Sequence, residues 1–228
     1  MFSKKLTVDF SCSDHLVEGI PSPQPSTKFF PSWVKNLSSC EDEHCNKVKQ
    51  PYFSRRGELL GNQTIKKCLP VTDMMGAGYT IPLWMTIVVE KTEGSVHFNW
   101  GLNNEKDRVP LSSHHIDQVR NSFLAEQGPG NQIFKLTSPW RITTPKGVSC
   151  LFISPFYSNP PLKILPAIVD TDQQHEVNFP FLHNLEVGDH IIDAGTPLVQ
   201  VIPFRRETWL GRVNSFPRTL WEKEDAKY

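Results

Sequence analysis

The chain of 228 residues balances 24 lysines and arginines against 24 aspartates and glutamates, and 38% of its residues are hydrophobic. That neutrality excludes the global positive field with which a protein coats nucleic acid, leaving at most a local basic patch for such a partner. Nineteen prolines and thirteen glycines argue for many short strands joined by tight turns rather than long helices, because proline is costly inside a helix.

Taken in chain order, "MFSKKLTVDFSC" has two lysines but no apolar stretch long enough for a signal peptide, and no later run approaches the ~20 apolar residues of a membrane span. The chain therefore reads as soluble and not secreted. Five cysteines, an odd number, fit reduced thiols better than a disulfide framework. "GIPSPQPSTKFFPSW" follows as an extended, proline-rich strap, which Phe29, Phe30 and Trp33 would anchor to a core. "PSWVKNL" predicts one helical turn, and residues 38–63 an irregular polar excursion.

From Thr64 onward the apolar runs "TIKKCLPV", "YTIPLWMTIVVE" and "SVHFNW", separated by "MMGAG" and "KTEGS", predict a meander of strands and hairpin turns. "SSHHIDQVRNSFLAE" predicts an amphipathic helix near residues 113–126, with Ser112 or Ser113 as N-cap and Ile116, Val119, Phe123 and Leu124 on one face. Further strand-like runs continue to "AGTPLVQVIPF". In a β-sandwich the alternating residues of "VSCLFISPF" and "PLVQVIPF" would share one interior, as neighbours or facing each other. The expected architecture is mostly β, an antiparallel sandwich or barrel of jelly-roll-like type with one or two short helices. Its expected divisions are a strap and excursion over 1–63, a core over 64–209 and a polar tail over 210–228.

Five segments, "FFPSWVKNL", "TIKKCLPVTDMMGAGYTI", "FKLTSPWRITTPKGVSCLFISPF", "IVDTDQQHEVNFPF" and "AGTPLVQVIPFRRETW", carry a resemblance. In this order, over roughly residues 28–209, the chain resembles a family of tailed-phage proteins whose distant bacterial cousins share a domain of unknown function. The resemblance implies a phage context, with a place in the virion or the host cytoplasm. It implies self-association or other phage structural proteins as partners, and no chemistry. The second half also resembles the layout of dUTPase and dCTP deaminase chains. That likeness implies Asp170 or Asp172 as a nucleotide-site aspartate, with Gly195 and Gln200 in the closing strand. The Arg-Ser-Gly phosphate segment of those enzymes is missing, and "PWRITTPKGVS" is its nearest counterpart.

The stretch "VDTDQQHE" admits two readings. Asp and Thr bond to nearby backbone N–H groups, so it can be a turn between strands. Alternatively Asp170 and Asp172, pointing to one face, bind a cation or polarise a water with His175 or Glu176 as a third group. His115-x-Asp117 with His175 would echo an iron site of oxygenases, but Asp117 at a helix start more simply complements the dipole. Cys12-x-x-His15 with Cys40-x4-Cys45 would supply the soft ligands of tetrahedral zinc, although the spacing is irregular. Cys68 and Cys150 sit in apolar contexts and read as core.

Trp140, Arg141, Arg205 and Arg206, with Lys66, Lys67, Lys146 and Trp209, combine basic and aromatic groups in a way that could bind single-stranded nucleic acid, or they lie on solvated strand faces. No nucleophile elbow or phosphate loop occurs. The expectation is a non-catalytic phage accessory protein without a cofactor, a virion component or binding module assembling through strap and tail. The alternative is a metal- or nucleotide-dependent enzyme with a pocket at Asp170, Asp172 and His175, for a small-molecule ligand the sequence does not name.

Overall fold

Short apolar runs punctuated by proline and glycine fold here into strands. The computed structural model describes residues 6–39, 64–101, 110–119, 122, 124 and 133–215. Thirteen strands fall in that range. They are β1 (Asp9–Ser11), β2 (Gln24–Pro25), β3 (Tyr79–Pro82), β4 (Ile87–Lys91), β5 (Val96–Trp100), β6 (Leu111–Ser113), β7 (Phe134–Thr143), β8 (Val148–Ile153), β9 (Leu162–Ile164), β10 (Ala167–Val169), β11 (Glu176–His183), β12 (Gly188–Ile192) and β13 (Pro197–Arg205). Helices are short: α1 (Asp14–Val17), α2 (Ser32–Asn36) and α3 (Leu69–Gly76).

Every strand pair is antiparallel, and the strands form three sheets. The first runs β1-β7-β11-β9; β6 pairs with Phe134–Leu136 and β1 with Arg141–Thr143, so the two share the edge of β7 that β11 leaves free. The second runs β10-β8-β13-β3-β2, and the third β12-β4-β5. As the sequence anticipates, "VSCLFI" and "PLVQVIPFR" are neighbours, paired from Val148↔Arg205 to Ile153↔Gln200.

β7 and β11 lose register between Glu176 and Asn178, which face Arg141 and Thr137. The extra length on β7 contains Pro139, which has no N–H to offer a ladder and is tolerated at such bulges. Ser138 steadies it, its hydroxyl donating to the Trp140 carbonyl and accepting from the Trp140 N–H at 3.2 and 3.1 Å.

Alternate residues point inward and build one core. Phe179 of the first sheet meets Phe152 of the second at a ring separation of 5.8 Å, and Trp84 at 6.4 Å. The third sheet joins through Phe98, whose ring lies 4.7 Å from Phe134 and 5.8 Å from Phe181. Ile81, Leu136, Ile142, Val199 and Val201 are wholly buried between them. The architecture is mostly β, three antiparallel sheets in a β-sandwich-like arrangement, as expected.

Four expectations fail. "TIKKCLPV" is not a strand but a 3-10 turn (Ile65–Lys67) leading into α3, and "MMGAG" is a helix end followed by β3 rather than a hairpin turn. Pro70 falls in the first turn of α3, where a missing N–H costs nothing, and the Thr72 hydroxyl donates back to the Leu69 carbonyl at 3.1 Å. Gly78, with φ +66°, then admits β3 close to β13, where a Cβ would lie 2.0 Å from the Val201 carbonyl oxygen. Ser112 and Ser113 are not helix caps either; they pair with β7 as part of β6, and the predicted amphipathic helix is a 3-10 turn (Ile116–Val119), most of its remainder lying outside the described residues.

The strap attaches as an edge. Gln24–Pro25 pairs with β3, the Ser26 N–H donates to the Gly78 carbonyl at 3.1 Å, the buried Thr80 and Ser26 hydroxyls meet at 3.0 Å, and Phe30 rests beside Gly76. Chain contacts divide the protein into two compact units, at Pro31/Ser32, Thr72/Asp73 and Arg206/Glu207. In the smaller one, the Lys66 ammonium donates to the Lys35 and Leu37 carbonyls at 3.2 and 3.1 Å, a cation at the end of α2.

Candidate functional site

β10 belongs to the second sheet and β11 to the first, so residues 170–175 form the corner by which the chain changes sheets. The Asp170 carbonyl accepts the N–H groups of Gln173 and Gln174 at 2.9 and 2.8 Å, which closes the turn. Thr171 is wholly buried, its hydroxyl 2.8 Å from the Thr144 hydroxyl and 3.3 Å from the Cys150 sulfur. Burial pushes the Cys150 thiol pKa up, against the smaller effect of that hydroxyl.

The two carboxylates converge on one cation. Arg206 grips Asp172 in a fork, Nη1 to Oδ1 at 2.8 Å and Nη2 to Oδ2 at 2.6 Å, while the Gly147 N–H donates to Oδ2 at 2.8 Å. Asp170 Oδ1 lies 3.0 Å from Arg206 Nη1 and accepts the Ser149 hydroxyl at 2.6 Å. The same Nη1 reaches the Ser149 oxygen at 3.0 Å. Backbone contacts fix the fork, since the Arg206 N–H donates to the Gly147 carbonyl at 2.9 Å. The Asp172 side chain is only 4% exposed, against 50% for Asp170.

Electrostatics follow from this geometry. The Arg206 hydrogen bonds, then the Gly147 N–H, hold the Asp172 carboxyl down at about 2, and the same contact raises Arg206. Such a carboxylate is ionised at any working pH and already accepts three hydrogen bonds. It is a poor general base, whose pKa should lie near the operating pH.

His175 does not join the acids. Its Nδ1 faces the carbonyl oxygens of Thr171 and Ile142 at 3.0 and 3.3 Å, so Nδ1 carries the proton and serves the backbone. Among the described residues, no three His, Cys, Asp or Glu side chains are grouped so as to hold a metal ion. His115 pairs with Asp117 at 3.4 Å on an exposed turn. Cys12 is half-buried; Cys40, Cys45 and the His15 side chain lie outside the described residues. Glu176 pairs with Arg141 at 3.3 Å across β11 and β7.

The basic and aromatic set does not form one platform. Trp140 is 3% exposed and belongs to the core, which corrects its reading as a base-stacking residue. Arg206 is engaged by the acids, and Arg205 is exposed on β13. Gln200, 1% exposed, ties three backbone segments: its amide donates to the Met74 and Ala77 carbonyls at 2.8 Å each and its carbonyl accepts the Phe156 N–H at 3.3 Å. Gly147 and Ser149, the other half of the clamp, carry no sequence signal as its members.

A mostly β, sandwich-like protein with a clamped corner is what these observations define. No protein-family model matches the chain, and no curated protein matches it. Among solved structures it is similar to phage dUTPases. A mutant dUTPase from phage phi11 of S. aureus is 15% identical, with 61% of this chain and 84% of that chain covered, at a TM-score of 0.34. A mutant dUTPase of Staphylococcus bacteriophage 80alpha with dUpNHpp is 13% identical, with 73% and 87% covered, again at 0.34. Likeness at that level assigns no activity to this chain. No described helix is long and apolar enough to cross a membrane.

Proposed function

We propose that the protein is a non-catalytic binding module of the phage-accessory kind, virion-associated or intracellular, which assembles with its own copies or with phage structural proteins through its strap and tail. One observation carries this reading. Immediately after the clamp, Trp209, Leu210 and Val213 are 84%, 78% and 103% exposed, an apolar set of a size that exposed chain retains where a partner is to cover it. Trp33, at the strap's end, is 43% exposed. Saturation of Asp172 by three donors supports the same reading, since it takes the best acid out of contention as a base or ligand.

The test is the mass of the native particle by light scattering, with Trp209→Ser plus Leu210→Ser as the comparison. An oligomer that the double variant dissolves is the expected result. A monomer that hydrolyses deoxyuridine triphosphate, or that carries stoichiometric metal on elemental analysis, would overturn the proposal.

A further inference from the structure

The outer face of the third sheet sets aliphatic side chains beside acidic ones. β4 is its centre, and Val88 and Glu90 point outward while Ile87 and Val89 are buried. In register, Val88 lies opposite Ile191 and Asn99, and Glu90 opposite Asp189 and His97. Ile191 is 70% exposed and Val88 39%, an aliphatic pair in contact with solvent. Beside them two carboxylates stand directly across adjacent strands, an arrangement that costs stability unless a cation relieves it. Asn99 offers Glu90 only a long 3.5 Å hydrogen bond, and no lysine or arginine occupies these six outward positions.

The exposed tail has the complementary pattern. Leu210 and Arg212, both exposed, are two residues apart, so on an extended chain they fall on one side about 6.6 Å from each other. Val88 and Glu90, also two apart on a strand, present the same spacing. An extended tail lying along β4 can thus place Leu210 on Val88 and Ile191 while Arg212 reaches between Glu90 and Asp189. Burying the aliphatic contact and neutralising the opposed carboxylates act together, and a guanidinium suits two oxygens better than an ammonium does.

Resting on the assembly reading above, we propose that this face is the docking site for residues 207–213 of a second copy of the chain. The contact is head-to-tail, so a tail from one copy meets the sheet of the next, and the series either closes into a ring or continues. Salt weakens it, because one of its two components is an exposed charge interaction.

Sedimentation velocity on full chains tests this with two variants and their mixture. Glu90→Lys plus Asp189→Lys removes the acidic face, and Leu210→Ser plus Arg212→Glu removes the tail's side of the contact. Each alone is expected to lose self-association by about tenfold or more. Mixed, they are expected to regain association, because the tail variant still has an intact face and the face variant an intact tail. Glu90→Gln plus Asp189→Asn, which adds no new repulsion, should weaken association less, and thermal melts establish that each variant is folded. Association unchanged in the folded face variant but lost in the tail variant would overturn this docking site and leave the assembly reading standing. A wild-type chain that stays monomeric at every concentration would overturn both.

Discussion

The Arg206 guanidinium closes on the Asp172 carboxylate with two parallel hydrogen bonds, 2.8 and 2.6 Å long, across 34 residues of sequence. The acid comes from the corner between sheets and the cation from the residue just after β13, so the pair fastens that corner to the second sheet.

The pair has a pH signature. Asp172 titrates near 2 in the folded chain, against about 3.9 in an unfolded one, so the folded state prefers the ionised form. Its contribution is fully present above the unfolded value and fades as pH falls from about 4 towards 2. Chemical unfolding of wild type and Asp172→Asn from pH 6 to 2 should show the wild-type advantage shrinking through that window. Parallel curves would mean that the fork contributes nothing.

Gln200 is a sharper structural test. Gln200→Leu keeps the volume but leaves the Met74 and Ala77 carbonyls and the Phe156 N–H without that partner. The Met74 carbonyl keeps the Ala77 N–H at 3.4 Å, so the Ala77 carbonyl and the Phe156 N–H carry the loss; a fully buried group left unpaired costs about 1–3 kcal/mol, and these part-buried ones should cost towards the lower end. Urea denaturation with an unchanged midpoint would show that water replaces the amide.

Two glycines separate strain from collision. Gly147 has φ +82° and open space where a Cβ would go, so Gly147→Ala should cost only the left-handed penalty of about 1–2 kcal/mol. Gly78 adds a Cβ contact of 2.0 Å with backbone, so Gly78→Ala should cost clearly more. Equal melting temperatures for the two variants would contradict the close approach of β3 to β13.

Cys150 is wholly buried and its thiol is pushed towards the neutral form. Because the thiolate is the reactive species, native protein should leave Cys150 unmodified by an alkylating reagent while half-buried Cys12 and Cys68 react first, as peptide mass spectrometry would show. Early labelling of Cys150 would mean that the corner opens readily.

Much of the sandwich is legible in the residues. β8 and the first half of β13 are buried on both faces, which marks them as core strands, but the residues alone leave open whether they lie side by side or face each other; pairing makes them neighbours. α3 is not legible, because "TIKKCLPV" is rich in β-branched residues and Pro70 reads as a breaker until its place in the first helical turn is seen. The clamp is hidden for another reason. "VDTD" announces a turn through local chemistry, whereas its partners Gly147, Ser149 and Arg206 are far from the acids in sequence, the nearest 21 residues away, and meet them only through the fold.

The two larger sheets end in strands of two or three residues: β1, β6 and β9 in one, β2 and β10 in the other. Prolines 161 and 166 bracket β9, and Pro166 lies directly before β10. Borders so brief offer few free amides to an incoming ribbon, and fibrous stacking along them is disfavoured. Among the described residues the longer borders, five residues each, belong to β5 and β12 of the third sheet, and an added ribbon would find its row of amides there instead.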